Sequence, residues 1–437
     1  MLPSHELSTS QLAALATGGG GPAVIGELRR AQLSKHLLLI RYVVRQWPGD
    51  PAARERAVAV LAAAQERDAA AVADLLSAPM TGAWTSCAAR RMPRAADASR
   101  AAEGNCGYLG ALAVVAAARA GIDADLPVPA PGGRVHLPTM GTVLVPEAGR
   151  GPTTARVRDR AVTLSAAGER VRVPVRPPAA GPNWLPLRRL RAGARIDLAL
   201  DDLDPYRGGH HIEPADRLPD IPFNVWRDAF AAAGDLLDLY APDRAAELAA
   251  GLRAVVPLQE LDDGSARSAT LSDVFGAFGL TLPESPAELA VTMVHEFQHS
   301  KLSAVLDLAP LVEPRAPGRF YAPWRTDPRP LGGLLQGVYA FIAVADTWHR
   351  LRAAPGVGDA AEQAFADVRE QVHHAVGTLR AAPGLTAAGR RFAAGLGEQA
   401  DRLLAEPVPR AVADRARAAL AANLTGWRRR NVPVAAG

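Results

Sequence analysis

The chain has 437 residues with 49 Lys plus Arg against 45 Asp plus Glu, a net charge of +4, a balance that excludes a nucleic-acid binder held by bulk charge. Hydrophobic residues make up 49% and charged residues 22%, which excludes a disordered chain, and the length allows about three units at roughly 150 residues each. Only Lys35 and Lys301 are lysines, a bias expected of GC-rich coding that takes weight from any argument by arginine number.

Residues 1–127 read as an N-terminal helical region. Apolar residues recur near a 3.6-residue spacing in LSKHLLLIRYVVRQW, AVAVLAAAQERDAAAVADLL and GYLGALAVVAAARAGI. Residues 128–205 change character, with short Val-rich segments such as GTVLVP, ERVRVPVRP and ARIDLAL between Gly and Pro, the mark of a β-rich region. Helical spacing returns over 222–252, a loop and short apolar stretch follow, and helices dominate to the end. Residues 206–437 are therefore read as a helical metal-binding catalytic domain. The expected fold class is α+β, mainly helical, with a zincin-like HExxH helix in the C-terminal helical domain and a small β-rich middle block. Cys87 and Cys106 are read as free thiols, because a chain this long buries enough core without a bridge. The start lacks an export pattern and no stretch approaches ~18 apolar residues, so a soluble cytoplasmic protein is expected.

The chemistry rests on His295-Glu296-Phe297-Gln298-His299, an HExxH motif. Ser285-Pro286-Ala287-Glu288 upstream has the form of a capping box with Pro at the first helical position, and Pro310 bounds the helix downstream. Four residues apart on a helix, His295 and His299 lie about 40° apart on one face, where both imidazoles reach one metal ion. Glu296 points sideways from the pair, suited to supporting a ligand or to acting as a general base. The plain alternative is a helix whose histidines are packed or solvated.

Two histidines leave a metal incomplete. A metzincin would continue HExxHxxGxxH, but Leu302 and Val305 stand at the last two positions, which excludes that class. A later ExxxD helix, as in gluzincins, is weakened: Glu313, Glu362, Glu370, Glu398 and Glu406 all lack Asp four residues on. The next helix, about Leu331 to Leu351, offers Gln336 and Asp346, and His211 stands as a candidate from the β-rich side. His373 and His374 are weaker candidates from a more distant helix.

HEFQHSKLSAVLDLAPL followed by RFYAPWRTDPRPLGGLLQGVYAFIAVADTW resembles the HExxH-domain peptide-modification proteins of ribosomal peptide natural-product (RiPP) clusters, often fused or adjacent to radical SAM maturases. The resemblance is strong over 286–350 and weaker over 18–41, 136–143 and 200–207. It implies a free-standing member without a radical SAM part; Cys87 and Cys106 lie too far apart for a CxxxCxxC cluster motif. It also implies an iron(II)- and 2-oxoglutarate-dependent dioxygenase that hydroxylates a β-carbon of a precursor peptide, with no nucleic acid and no membrane as partner.

On that reading His295, His299 and Gln336 hold Fe(II), and Arg325, Arg329 or Lys301 pairs with the far carboxylate of 2-oxoglutarate. Glu296 supports the site, and Tyr321, Trp324 and Tyr339 face the peptide. Each has a bland alternative: Arg325 or Arg329 paired with Asp327, Lys301 in an ion pair, the tyrosines in the core. The segment SARSATLSDVFGAF before the motif helix is a polar edge on which an extended peptide can pair. Two competing functions remain open: a zinc metallopeptidase with Glu296 as general base, Zn in place of iron and Tyr339 or Arg325 steadying the oxyanion, and a non-catalytic peptide-binding module with a structural metal.

Overall fold

The computed structural model describes residues 5–47, 49–91, 99–145, 153–166, 169–176, 180–209, 212–260, 266–271 and 273–431. Over these the fold is α+β and mainly helical, with thirteen α-helices and three small sheets. No helix among the described residues is long and apolar enough to cross a membrane.

The first six helices are α1 (Thr9–Ala16), α2 (Gly21–Arg45), α3 (Pro51–Arg67), α4 (Ala69–Leu76), α5 (Pro79–Arg91) and α6 (Ser99–Ala120). Their starts follow from local chemistry: Ser8 and Gln11 cap α1 reciprocally, Asp50 and Asp68 accept first-turn N–H groups of α3 and α4, and α2 and α3 carry Pro in the first turn. Strands β1 (Ala124–Val128), β4 (Thr153–Arg158), β5 (Ala161–Ala166) and β6 (Glu169–Pro174) form a four-stranded antiparallel sheet. A second sheet has three strands, β2 (Arg134–Leu137), β3 (Gly141–Leu144) and β7 (Trp184–Pro186). The apolar face of α6, with Leu109, Leu112, Val114 and Val115, packs with both sheets into one core.

The third sheet carries the candidate site. It has five strands in the order β11 (Ser268–Thr270), β12 (Ala277–Leu280), β10 (Ala254–Pro257), β9 (Ile196–Leu200) and β8 (Arg188–Ala192). The three inner strands run parallel, and the two outer ones antiparallel. Here the structure departs from the expected organisation, because three of these strands lie in the stretch read as helical domain, so a boundary at 205 cuts through one sheet. The reason is physical: AVVP and AFGL are buried at every position, as inner parallel strands are, and four apolar residues without alternation carry no period to read.

Helices α7 (Asp220–Tyr240), α8 (Pro242–Gly251) and α9 (Pro286–Leu308) pack against this sheet, α10 (Leu331–Leu351) packs on α9, and α11 (Gly358–Ala381), α12 (Ala387–Ala405) and α13 (Arg410–Asn431) follow beyond. Helix α9 starts where Ser285 accepts the Glu288 N–H, and it ends before Pro310. Gly276 seats α9 on the sheet. Its φ of +79° is left-handed, a Cβ there would lie 2.4 Å from the Gly251 oxygen, and its N–H donates to Ser300 of α9.

A buried polar knot joins the first core to the third sheet. The Tyr108 hydroxyl donates to Asp204 at 2.6 Å, and His136 Nε2 pairs with the same carboxylate oxygen at 3.0 Å. Asp201 accepts the Asp204 N–H at 2.9 Å. Burial and then the Asp204 charge push the Asp201 carboxyl up to about 6, while the two neighbouring carboxylates outweigh burial and raise His136.

Candidate functional site

His295 and His299 project from one face of α9 with their Nε2 atoms 3.1 Å apart and their rings at 85°. Two imidazoles bound to one ion at about 2.0–2.1 Å each place their nitrogens roughly 3 Å apart, so this spacing fits two positions of a coordination shell. A hydrogen bond also orients the His299 ring. Gln336 Oε1 lies 3.1 Å from His299 Nδ1, and the orientation of the amide is set on its other side, where Gln336 Nε2 donates to Ser303 Oγ while the Ser303 hydroxyl donates to the His299 carbonyl. A carbonyl oxygen accepts, so Nδ1 holds the hydrogen and Nε2 keeps its lone pair toward His295. Burial, and then the neighbouring His299, push the His295 imidazole down to about 3, so it stays neutral, as a ligand must.

Glu296 is buried and turns toward the edge of the third sheet. Ser268 donates to Oε1 at 2.6 Å, and Thr270 lies 2.5 Å from Oε2 and 3.0 Å from the Glu296 carbonyl. Both donors belong to β11, whose other side pairs with no strand among the described residues. Glu296 Oε1 is also 3.8 Å from His295 Nε2, so the carboxylate adjoins the histidine pair while its hydrogen-bonding capacity is committed to the strand.

An aromatic wall closes another side. Phe341 meets His295 edge-on at 4.9 Å, and Trp324 stacks on Phe341 at 4.4 Å with 14° between the planes. Gly337 makes room for that indole, since a Cβ there would lie 2.4 Å from Trp324 Nε1.

The remaining sequence candidates divide. Gln336 reaches His299 but sits behind its ring, on Nδ1, so as arranged it orients a ligand; the expectation that it is itself the third ligand is corrected on that geometry. Asp346 is not near the pair: its carboxylate is taken by Arg244 at 3.0 Å and Arg350 at 3.2 Å. His373 pairs with Asp401, His374 lies against Tyr321, and His211 is outside the described residues. Among the described residues no group of three or more His, Cys, Asp or Glu is placed to hold a metal, and the histidine pair by itself offers two nitrogens.

Lys301 corrects another expectation. It is fully buried on the far side of α9, and its ammonium donates to the Gly18 and Gly19 carbonyls at 3.1 and 2.8 Å and to Glu247 at 3.0 Å, which leaves nothing for a co-substrate carboxylate. Arg325 and Arg329 both hold the Asp327 carboxylate, at 3.1 and 3.0 Å, on an exposed loop. Tyr321 is buried and donates to Asn423 of α13 at 2.7 Å, and Tyr339 is fully buried against Phe392 with Lys301 over its ring. Neither tyrosine faces a substrate. Only Trp324 of the three stands by the histidines. Sequence reasoning did not tie Ser303 and Phe341 to the site. It read the stretch that holds Ser268 and Thr270 as an edge for a peptide and did not foresee that both would hold Glu296.

Compared with protein-family models and with curated proteins, the sequence matches none.

Proposed function

We propose that the protein is a metal-dependent enzyme that oxidises a peptide: an iron(II)- and 2-oxoglutarate-dependent β-hydroxylase acting on a ribosomally made precursor peptide. The observation that carries this reading over hydrolysis is the placement of Glu296. Its two carboxylate oxygens each accept a hydroxyl of β11, from Ser268 and from Thr270, an arrangement that suits a residue holding β11 against α9 better than one that activates water. His295 and His299 would hold the metal, with Gln336 fixing the tautomer of His299. When bound, iron(II) with 2-oxoglutarate and O₂ supplies the oxidising power for hydroxylation of a C–H bond, with decarboxylation of the co-substrate to succinate.

The chain's own residues then have definite tasks. The edge of β11 that pairs with no strand among the described residues would offer backbone N–H and C=O groups to an extended peptide, and Ser268 and Thr270 of that strand hold Glu296, next to His295 in the chain. Trp324 and Phe341 exclude water from one flank of His295.

A zinc metallopeptidase is the second reading, favoured by the 3.8 Å between Glu296 Oε1 and His295 Nε2 within an HExxH helix. One experiment separates the two. The protein is incubated with a candidate ribosomal precursor peptide, either with Fe(II), 2-oxoglutarate and O₂ or with Zn(II), and the peptide is weighed by mass spectrometry. A gain of one oxygen that persists in Glu296→Gln supports the hydroxylase; cleavage abolished by Glu296→Gln overturns it in favour of the peptidase.

A further inference from the structure

Charge is not spread evenly over this nearly neutral chain. The segment 313–330 carries four arginines against Glu313 and Asp327, and the end of α13, residues 423–431, carries Arg428, Arg429 and Arg430 against no acid. These 27 residues hold a net +5 where the whole chain holds +4, so everything else together is close to neutral at −1. The general abundance of arginine does not explain this, because elsewhere acids balance it.

The two stretches form one surface. Tyr321 meets the Trp427 ring at 5.3 Å and donates to Asn423 at 2.7 Å, Asn423 donates to the Pro323 carbonyl at 3.1 Å, and Asn431 donates to the Thr326 carbonyl at 2.9 Å. His374, lying edge-on to Tyr321, is held below its ordinary value by burial and then by the charge of Arg428. Arg428, Arg429 and Arg430 are exposed, and no acid among the described residues pairs with them. The same segment carries Trp324, which reaches His295 through Phe341.

We propose that this surface, Arg428–Arg430 with the arginines of 313–330, docks an acidic segment of the peptide substrate and so delivers a neighbouring residue to the histidine pair. Carboxylate is the matching chemistry, since within the patch Arg325 and Arg329 already share the Asp327 carboxylate between them, the mode in which a partner's Asp or Glu would bind. Nucleic acid fits less well. Its single-stranded form needs exposed aromatic faces for the bases, and none of the four aromatics of these stretches is exposed: Tyr321 and Trp427 are buried, and Phe320 and Trp324 are half-buried, with Trp324 stacked on Phe341. The docking role rests on the peptide-modifying reading given above, but binding can be tested apart from it.

The probe is a fluorescein-labelled peptide of alternating aspartate and glycine, followed by anisotropy with the metal-free full chain. A matched asparagine–glycine peptide and a labelled single-stranded oligonucleotide run beside it. The triple variant Arg428→Ala, Arg429→Ala, Arg430→Ala should bind the acidic probe about tenfold more weakly, as three modest ion pairs imply, and the three corresponding Lys substitutions should restore most of the affinity. Binding should fall as salt rises from ~0.05 M to ~0.5 M. A control triple, Arg41→Ala, Arg45→Ala, Arg56→Ala, removes as much charge from exposed positions of α2 and α3 and should bind like the unaltered chain. Absence of binding, equal loss in both triples, or tighter binding of the oligonucleotide than of the acidic peptide would each overturn the proposal. Binding should survive His295→Ala. If the patch binds and no peptide is oxidised, the catalytic reading fails and the surface stands; if peptide is oxidised with an unchanged KM in the patch triple, the surface fails alone.

Discussion

Lys301 Nζ lies 3.0 Å from Glu247 Oε2, about 200° round α9 from His299, so the helix that presents the histidines on one side is held from the other by a buried ion pair. Arg244 extends the network, joining Glu247 on α8 to Asp346 on α10, the helix that also carries Gln336.

Removing the ammonium leaves a buried carboxylate and two glycine carbonyls without their donor. Lys301→Met should cost about 3–5 kcal/mol in urea unfolding, and adding Glu247→Gln should recover part of it by removing the stranded charge. A loss under about 1 kcal/mol would mean that the ion pair is not the clamp described.

Metal retention distinguishes a ligand from its support. After dialysis, His295→Ala and His299→Ala should lose bound metal by elemental analysis. Gln336→Ala should keep the stoichiometry with affinity about 10–100-fold weaker. Loss in Gln336→Ala as complete as in His299→Ala would make Gln336 a ligand after rearrangement of its side chain.

Gly337→Ala should push the Trp324 indole off Phe341, because the new methyl would start 2.4 Å from Nε1. The expected readouts are a shift in tryptophan fluorescence and a destabilisation of about 1–3 kcal/mol. Unchanged emission would show that the wall is not packed through this contact.

The knot at Asp201 makes stability depend on pH. Asp201 titrates near 6 when folded against about 3.8 free, and His136 is also raised, so between these values the folded chain binds more protons than the unfolded one. Stability from both groups is present at low pH; the Asp201 part is lost as pH rises from about 4 through 6, and the His136 part as pH rises further through its raised value. Asp204 is shifted down and works the other way, but only below its ordinary carboxylate range. The urea midpoint should therefore fall from pH 5 to pH 8, and Asp201→Asn, which keeps the oxygen that accepts the Asp204 N–H, should flatten the acidic part of that slope. An unchanged slope in Asp201→Asn would assign the effect elsewhere.

Features written in neighbouring residues were readable from the sequence. Ser285, Pro286 and Pro310 mark the ends of α9, and the i, i+4 spacing of His295 and His299 puts both on one face. What was not readable depends on partners distant in the chain. The same helical geometry says that Lys301 faces away from the histidines, but the groups it meets lie 282 residues upstream at Gly19 and 54 at Glu247. Glu296 has hydroxyl partners only because three residues of β11 pair with β12 at the register Ala269 to Gly279, and so short a strand leaves no periodic trace. Arg325 and Arg329 each had a carboxylate two residues away, and local pairing prevailed.

Both lysines of the chain fasten α9 to its first helices, Lys301 to the carbonyls before α2 and Lys35 of α2 to Asp307 at 2.9 Å. During synthesis this sets a delay. The N-terminal segment emerges first, and its partner on the motif helix follows about 280 residues later, tens of seconds at ~5–20 residues per second. Until residues beyond about 190 have been made, Leu15, Ile25 and Leu28, fully buried in the finished fold in the core around α9, lack most of the partners of that core. The newborn chain is thus exposed to aggregation or chaperone capture over these helices, and the candidate metal site cannot be backed by its clamp until Lys301 has been made.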